Sequence, residues 1–334
     1  MASSKTPILS PTRRHFMAGL GAIPLLKATG AVGQTSNRVV VYSTTHPAIQ
    51  TKLAAAFKEK TGIEVQSLRL NSSAMAQRFL SEQKAKQYLC DVLTLGNDVF
   101  FKTISQEGML RDLSAHKTVA GLKEDWRPGK HFVMITAAPA GIAYHRGSVT
   151  GASIPKGWQD LLRPEFKGQL ILTDPRMNEN LVPFLVVLQQ AYGDDFLRKL
   201  GQQDLKLVPV TQQGIEQLAA GEAKIVFPCN PGNLTRYEGQ GAPIKLVDNV
   251  YPTQWTPFYT GIPTHAPNQA AAERWFDYLL SEEGQKILCD GVGVSPLGNI
   301  PGALPQPSGK IENPDTAESL KMAPQLFDLL GLPA

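Results

Sequence analysis

The chain has 334 residues and a formal net charge of +4, long enough for two domains or one large one. The excess charge lies in residues 1–33, where Lys5, Arg13, Arg14 and Lys27 meet no acid, so the remainder is neutral. With no basic block interleaved with aromatics, nucleic acid is excluded as a partner. Cys90, Cys229 and Cys289 stand far apart with no CxxC or Cys/His spacing, which excludes a structural zinc site and favours buried free thiols.

In chain order, the first signal is Thr12-Arg13-Arg14-His15-Phe16-Met17, followed by a weakly apolar run over 18–26 and small residues over 28–33. That is an n-region, an h-region and a cleavage site in order. The paired arginines mark the twin-arginine export machinery. The segment is too short to span a bilayer, which needs roughly 20 apolar residues, and Lys27 interrupts it. Cleavage after Gly33 would release a folded, unanchored chain into the periplasm.

From Arg38 strands and helices alternate. The β-branched run Arg38-Val39-Val40-Val41-Tyr42 predicts a buried strand ending in Ser43-Thr44-Thr45. Pro47 suits a first helical turn. Ile49, Leu53 and Phe57 then form an apolar stripe that stops at Thr61-Gly62. Residues 63–70 read as a second strand ending in Asn71-Ser72-Ser73, which opens a helix through Met75 and Phe79. Residues 91–95 read as a third strand, ending in Gly96-Asn97-Asp98 before a helix that stops at Gly108. This βαβαβα order predicts a parallel sheet covered by helices. Ligands of open α/β sheets bind beyond the carboxyl ends of the strands. Three hydroxyl- or amide-rich loops there, each before a helix N-terminus, suit an anion; ordinary N-capping uses the same residues.

A second α/β unit follows from near Thr136. It has strands at 169–172 and 224–227, a helix over 180–191 that stops at Tyr192-Gly193, and another over 212–220. The chain then returns through the extended segment 255–262 to an amphipathic helix over 268–280, a short helix to Leu288 and a last helix near 320–330.

Several stretches resemble the bacterial extracellular solute-binding proteins. They are Phe57-Lys58-Glu59-Lys60-Thr61-Gly62-Ile63-Glu64-Val65, Asp91-Val92-Leu93 with Glu107-Gly108-Met109-Leu110, and Gly141-Ile142-Ala143-Tyr144-His145. The most specific is the run Gly261-Ile262-Pro263, Ala266-Pro267-Asn268 and Leu280-Ser281-Glu282-Glu283-Gly284-Gln285. The nearest subgroup is the ferric-ion, phosphonate and thiamine type. The resemblance implies a two-lobed α/β fold of type II character, each lobe a mostly parallel sheet with flanking helices. Lobe one would take 38–136 plus 260–334 and lobe two 140–252, with hinge strands near 136–144 and 254–262. It implies a monomer without cofactor that hands a small-molecule ligand to an ABC transporter permease.

For the ligand, Thr44, Thr45, Ser72 and Ser73 would donate hydrogen bonds to a carboxylate, phosphate or phosphonate, with Asn97 and Asn230 in neighbouring strand-end loops. Tyr144, Trp255 and Tyr259 would wall the organic part. Asp98 or Asp174 would meet an amine, and Arg176 a carboxylate. In a ferric alternative the resemblance puts a histidine at His46. Its acid position falls near Gly96 and its tyrosine pair near Asn230-Pro231, with Tyr237 a few residues on. Fe(III) wants anionic oxygen ligands, which this set supplies poorly. An exported enzyme is a further alternative, although no GxSxG, HExxH or P-loop occurs; so is a ligand-sensing partner of a receptor kinase.

Overall fold

The computed structural model describes residues 37–247, 250–306 and 313–332. The expected signal segment, 1–33, lies outside them. Two five-stranded sheets, each with helices against it, carry separate hydrophobic cores.

Lobe one opens with β1 (Arg38–Ser43), α1 (Pro47–Thr61), β2 (Glu64–Leu68), α2 (Ser72–Lys84), β3 (Val92–Leu95) and α3 (Asp98–Gln106). The short α4 (Lys117–Ala120) leads to β4 (Val133–Pro139). β1 pairs in parallel with β2 and β3, as the alternating pattern predicts. Leu53 and Phe57 of α1 are buried, and Gly62 ends the helix at φ 72°, its N–H bonded to the Lys58 carbonyl.

Lobe two contains β5 (Gly141–His145), β6 (Leu170–Thr173), α5 (Val182–Gly201), β7 (Lys206–Val208), α6 (Thr211–Ala219), β8 (Ile225–Cys229), α7 (Pro231–Gly239) and β9 (Ile244–Val247). α5 is two helices that meet at Gly193, where φ is 78° and ψ 172°. That is the stop expected at Tyr192-Gly193, with a further helical segment beyond it. The chain then returns through β10 (Trp255–Gly261), α8 (Gln269–Leu279) and α9 (Glu282–Leu288), and ends in α10 (Thr316–Leu329).

The strand orders are β2-β1-β3-β10-β4 and β7-β6-β8-β5-β9. Each sheet is parallel except for one inserted strand. β10 runs antiparallel to β3 and β4, and β5 runs antiparallel to β8 and β9. Those inserted strands are the ones that enter from the other lobe. The two crossings are bonded to one another: Trp255 pairs with Pro139, the Ala140 N–H donates to the Gln254 carbonyl at 2.9 Å, and the Thr253 hydroxyl donates to the Ala140 carbonyl.

A buried carboxylate ties the two sequence-distant parts of lobe one. Asp91, fully buried, accepts from the Val40 N–H at 2.7 Å and from the Asn268 N–H and amide at 2.7 and 2.8 Å. A buried charge is tolerable when its lone pairs are this well used. The pairing gives a physical reason for both the Asp91-Val92 and the Ala266-Pro267-Asn268 stretches.

One expectation is corrected. Of the segment 260–334, α8 and α9 pack in the lobe-one core as expected, but α10 packs along α5 of lobe two. Leu326, Leu329 and Leu330 join the lobe-two core, and a Cβ at Gly201 would collide with the Leu330 carbonyl. The apolar stripe of α10 suits either lobe, so its sequence did not choose between them. Cys90, Cys229 and Cys289 are buried and unpaired; burial pushes the Cys229 thiol up to about 12. Among the described residues no helix is long and apolar enough to cross a membrane.

If α10 is part of the lobe-two core, Leu326→Ala costs about 2–5 kcal/mol in denaturant unfolding. A cost under about 0.5 kcal/mol, typical of a surface position, would mean the helix is only loosely applied.

Candidate functional site

Both sheets end at a shared cavity of about 440 Å³, within the size range of small-molecule sites. Lobe one supplies Gly96, Asp98 and Lys102 from the β3–α3 turn, and Asp125. The crossing strand supplies Trp255, Thr256, Pro257 and Tyr259. Lobe two supplies Asn178, Asn180, Thr211, Asn230 and Asn233, and the approach to α10 supplies residues 313–316.

The lobe-two wall is uncharged but not electrostatically neutral. α6 begins at Thr211 and α7 at Pro231, so both helices present their N-termini to the cavity. Neither has an N-cap side chain accepting a hydrogen bond, and neither has an acid in its first turn. Such ends carry partial positive charge. Asn230, which would normally cap α7, instead donates its amide to the Thr256 hydroxyl at 2.9 Å. That bond joins lobe two to the crossing strand.

The lobe-one wall is charged. Asp98 sits in the first turn of α3, where an acid complements the helix dipole. Lys102, one turn on, reaches Asp98 at 3.0 Å and Asp315 at 2.8 Å. Burial opposes the Lys102 charge, but the bonds to Asp315 and Asp98 raise its pKa above the ordinary lysine value. The Lys102 bond likewise holds Asp315 below the usual carboxylate range. Tyr259 is buried, and that burial, with Asp98 adding to it, pushes its hydroxyl well above the ordinary tyrosine value. It stays a neutral phenol.

Of the residues expected to bind ligand, Asp98, Asn230, Trp255 and Tyr259 line the cavity. The others do not. Thr44 donates its N–H to the Thr94 carbonyl, and Thr45 is buried, with its carbonyl accepting from Arg69. Ser72 and Ser73 lie in the first turn of α2, which Asn71 caps. Asn97 caps α3. In each of these loops one side chain, His46, Asn71 or Asn97, serves as the N-cap. Tyr144 is buried in the lobe-two core. Asp174 and Arg176 bond each other at 2.7 Å beyond β6. His46 caps α1 and Tyr237 donates to Glu216, and neither ferric candidate is among the residues lining the cavity. Among the described residues no group of three or more His, Cys, Asp or Glu side chains is placed to hold a metal ion.

Sequence reasoning missed Lys102, Asp125, Thr211, Asn233 and residues 313–316. Thr211 and Asn233 were within reach, since the strand-end rule applied to lobe one holds equally after β7 and β8. Lys102 and Asp315 carried no signal, because their meeting depends on where α10 docks.

A cleft between two lobes, walled by strand-end loops and helix N-termini, defines a ligand-binding protein of the two-lobed class. The family model described as bacterial extracellular solute-binding protein matches residues 88–312, and the chain belongs to that family. An uncharacterized protein of Haemophilus influenzae is 27% identical over 289 residues, 79% of each chain. The substrate binding protein of an ABC transporter from Agrobacterium tumefaciens matches with TM-score 0.70 and 16% identity, over 89% of this chain and 95% of that one. Iron-bound HitA from Pseudomonas aeruginosa matches with TM-score 0.65 and 18% identity, over 86% and 99%. AfuA from Actinobacillus pleuropneumoniae, with fructose-6-phosphate bound, matches with TM-score 0.65 and 18% identity, over 89% and 99%. At these identities the likeness to solved structures is one of fold.

Arg176 holds the Asp174 carboxyl below its ordinary pKa. A depressed folded value contributes stability that is present at neutral pH and lost as pH falls through that value. In an NMR titration Arg176→Ala should therefore move the Asp174 carboxyl upward. An unchanged Asp174 titration would mean the pair is not populated in solution.

Proposed function

We propose that this solute-binding protein captures a small organic anion between its lobes and delivers it to the permease of an ABC importer. The single observation that supports the anion is the lobe-two wall: two helix N-termini, without side-chain caps or first-turn acids, open onto the cavity. Backbone N–H groups and the dipole at such ends favour a carboxylate, phosphate or phosphonate. The amides of Asn178, Asn180 and Asn233 add neutral hydrogen-bonding groups beside them. Opposite, the carboxylates of Asp98 and Asp125 line the cavity; as acceptor-only groups they suit a ligand whose remainder carries hydroxyl or amine donors. Trp255 supplies an aromatic face for its carbon skeleton.

The ferric reading has less support. Fe(III) needs several anionic oxygens converging on one point. Tyr259, the one tyrosine among the described residues lining the cavity, has its phenolate form disfavoured by burial. The ABC importer assignment rests on the family and on the Agrobacterium neighbour's description.

Thermal-shift measurement across carboxylates, phosphates, phosphonates, polyols and amines tests the ligand. A ligand at a thousand times its Kd raises stability by about 4 kcal/mol, so at least one anion should shift the melting temperature by several degrees. If only polyols or amines do so, the anion reading fails. Export through the twin-arginine route belongs to the same proposal, with the chain working in the periplasm. Replacing both Arg13 and Arg14 by Lys should leave full-length protein in the cytoplasmic fraction. Continued export of that variant would count against the route.

A further inference from the structure

The approach to α10 does more than return the chain to lobe two. α10 packs against α5 and contributes to the lobe-two core, whereas α3 belongs to lobe one, its Phe100, Phe101 and Ile104 buried there. Residues 313–316, just before α10 and at its first position, nevertheless bond to lobe one and to the crossing strand. Lys102 of α3 reaches the Asp315 carboxylate at 2.8 Å. The Thr316 hydroxyl donates to the other oxygen of the Asp98 pair at 3.3 Å. The Trp255 N–H donates to the Asn313 side-chain oxygen at 2.9 Å. Asp315 is used twice, since its second oxygen caps α10 through the Glu318 N–H at 3.1 Å.

We propose that residues 313–316 form an electrostatic latch, in which Lys102 holds Asp315 and Asp98 together so that the C-terminal helix ties lobe two to lobe one along the cavity wall. The paired strands β4 and β10 leave the lobes free to part by rotation about them. Because α9 packs in lobe one and α10 in lobe two, the chain crosses between the lobes a third time before α10, and the latch pins that crossing to α3 at the cavity wall, so that the cavity widens when the latch breaks. It is made of side chains at the cavity surface: those of Lys102, Asp98 and Asp315 are 44, 22 and 42% exposed. An ion pair this exposed contributes modestly and is screened by salt. Modest is enough to set a hinge equilibrium, because about 1 kcal/mol changes a population ratio roughly fivefold. The latch needs no ligand and stands apart from the anion proposal; it concerns how far the lobes separate in the free protein.

Spin labels on exposed positions of each lobe read that separation directly. Lys58→Cys on α1 and Gln213→Cys on α6 serve as label sites, since the three native thiols are buried. In low salt the full-length protein should give mainly the short distance. Lys102→Met and Asp315→Asn should each raise the ratio of long to short distances about fivefold, Lys102→Arg should not, and high salt should move the unmodified latch the same way. Lys321→Met, which removes an exposed pair with Glu318 within α10, controls for charge change on that helix. Circular dichroism establishes that each variant folds. Distance distributions for Lys102→Met and Asp315→Asn that superimpose on the parent would overturn the latch, as would an equal shift in Lys321→Met.

Discussion

The site depends on one local constraint, the bonding of the two strand crossings to one another. β4 and β10 run antiparallel from Val133 and Thr260 to Pro139 and Trp255, and the Ala140 N–H to Gln254 carbonyl bond continues that pairing past the sheet. Beyond this point the strands diverge into different lobes. Because β10 is inserted between β3 and β4, Thr256 and Tyr259 must lie beside the carboxyl end of β3, where Asp98 and Lys102 begin α3. Trp255 is buried at the crossing itself. The cavity is therefore not an accident of loop shape. It forms where two parallel sheets, each interrupted by a strand from the other lobe, end against the same pair of backbones.

The electrostatics of the cavity divide between the lobes. Lobe two offers helix ends and amides with no formal charge, and lobe one offers acids and a lysine already engaged by two of them. Partial charges from helix ends act over about one turn, so they favour an anionic group placed directly against α6 and α7. The acids opposite make a second anionic group on the same ligand costly. Under the anion proposal this polarity gives the ligand an orientation as well as a sign. It also leaves the cations elsewhere to structural work: Arg176 to Asp174, Arg78 to Glu82 and Lys60 to Glu283.

Much of the fold was legible because its signals are local. The alternation of β-branched runs with amphipathic stripes fixed β1 to α3, and Gly62 and Gly193 ended their helices where expected. The family stretch Gly141 to His145 became β5, and the extended segment read over 255–262 became β10. The site was less legible, for two physical reasons. Hydroxyl and amide residues at strand ends serve caps and ligands alike, and here Asn71 and Asn97 cap helices while Asn230 reaches Thr256. The lining from residues 313–316 depends on α10 docking against α5, a tertiary choice that no stretch of α10 encodes by itself. Tyr144 shows the same limit, since its position in a crossing strand was right and its side chain faces the core.

The central claim is that the cleft of this solute-binding protein holds a small organic anion. Native mass spectrometry of the protein recovered from its producing cell, before and after denaturing release, tests it most directly. The account predicts one released molecule per chain carrying a carboxylate, phosphate or phosphonate together with hydroxyl or amine groups. Release of iron, or of an uncharged or purely cationic molecule in the same stoichiometry, would contradict it.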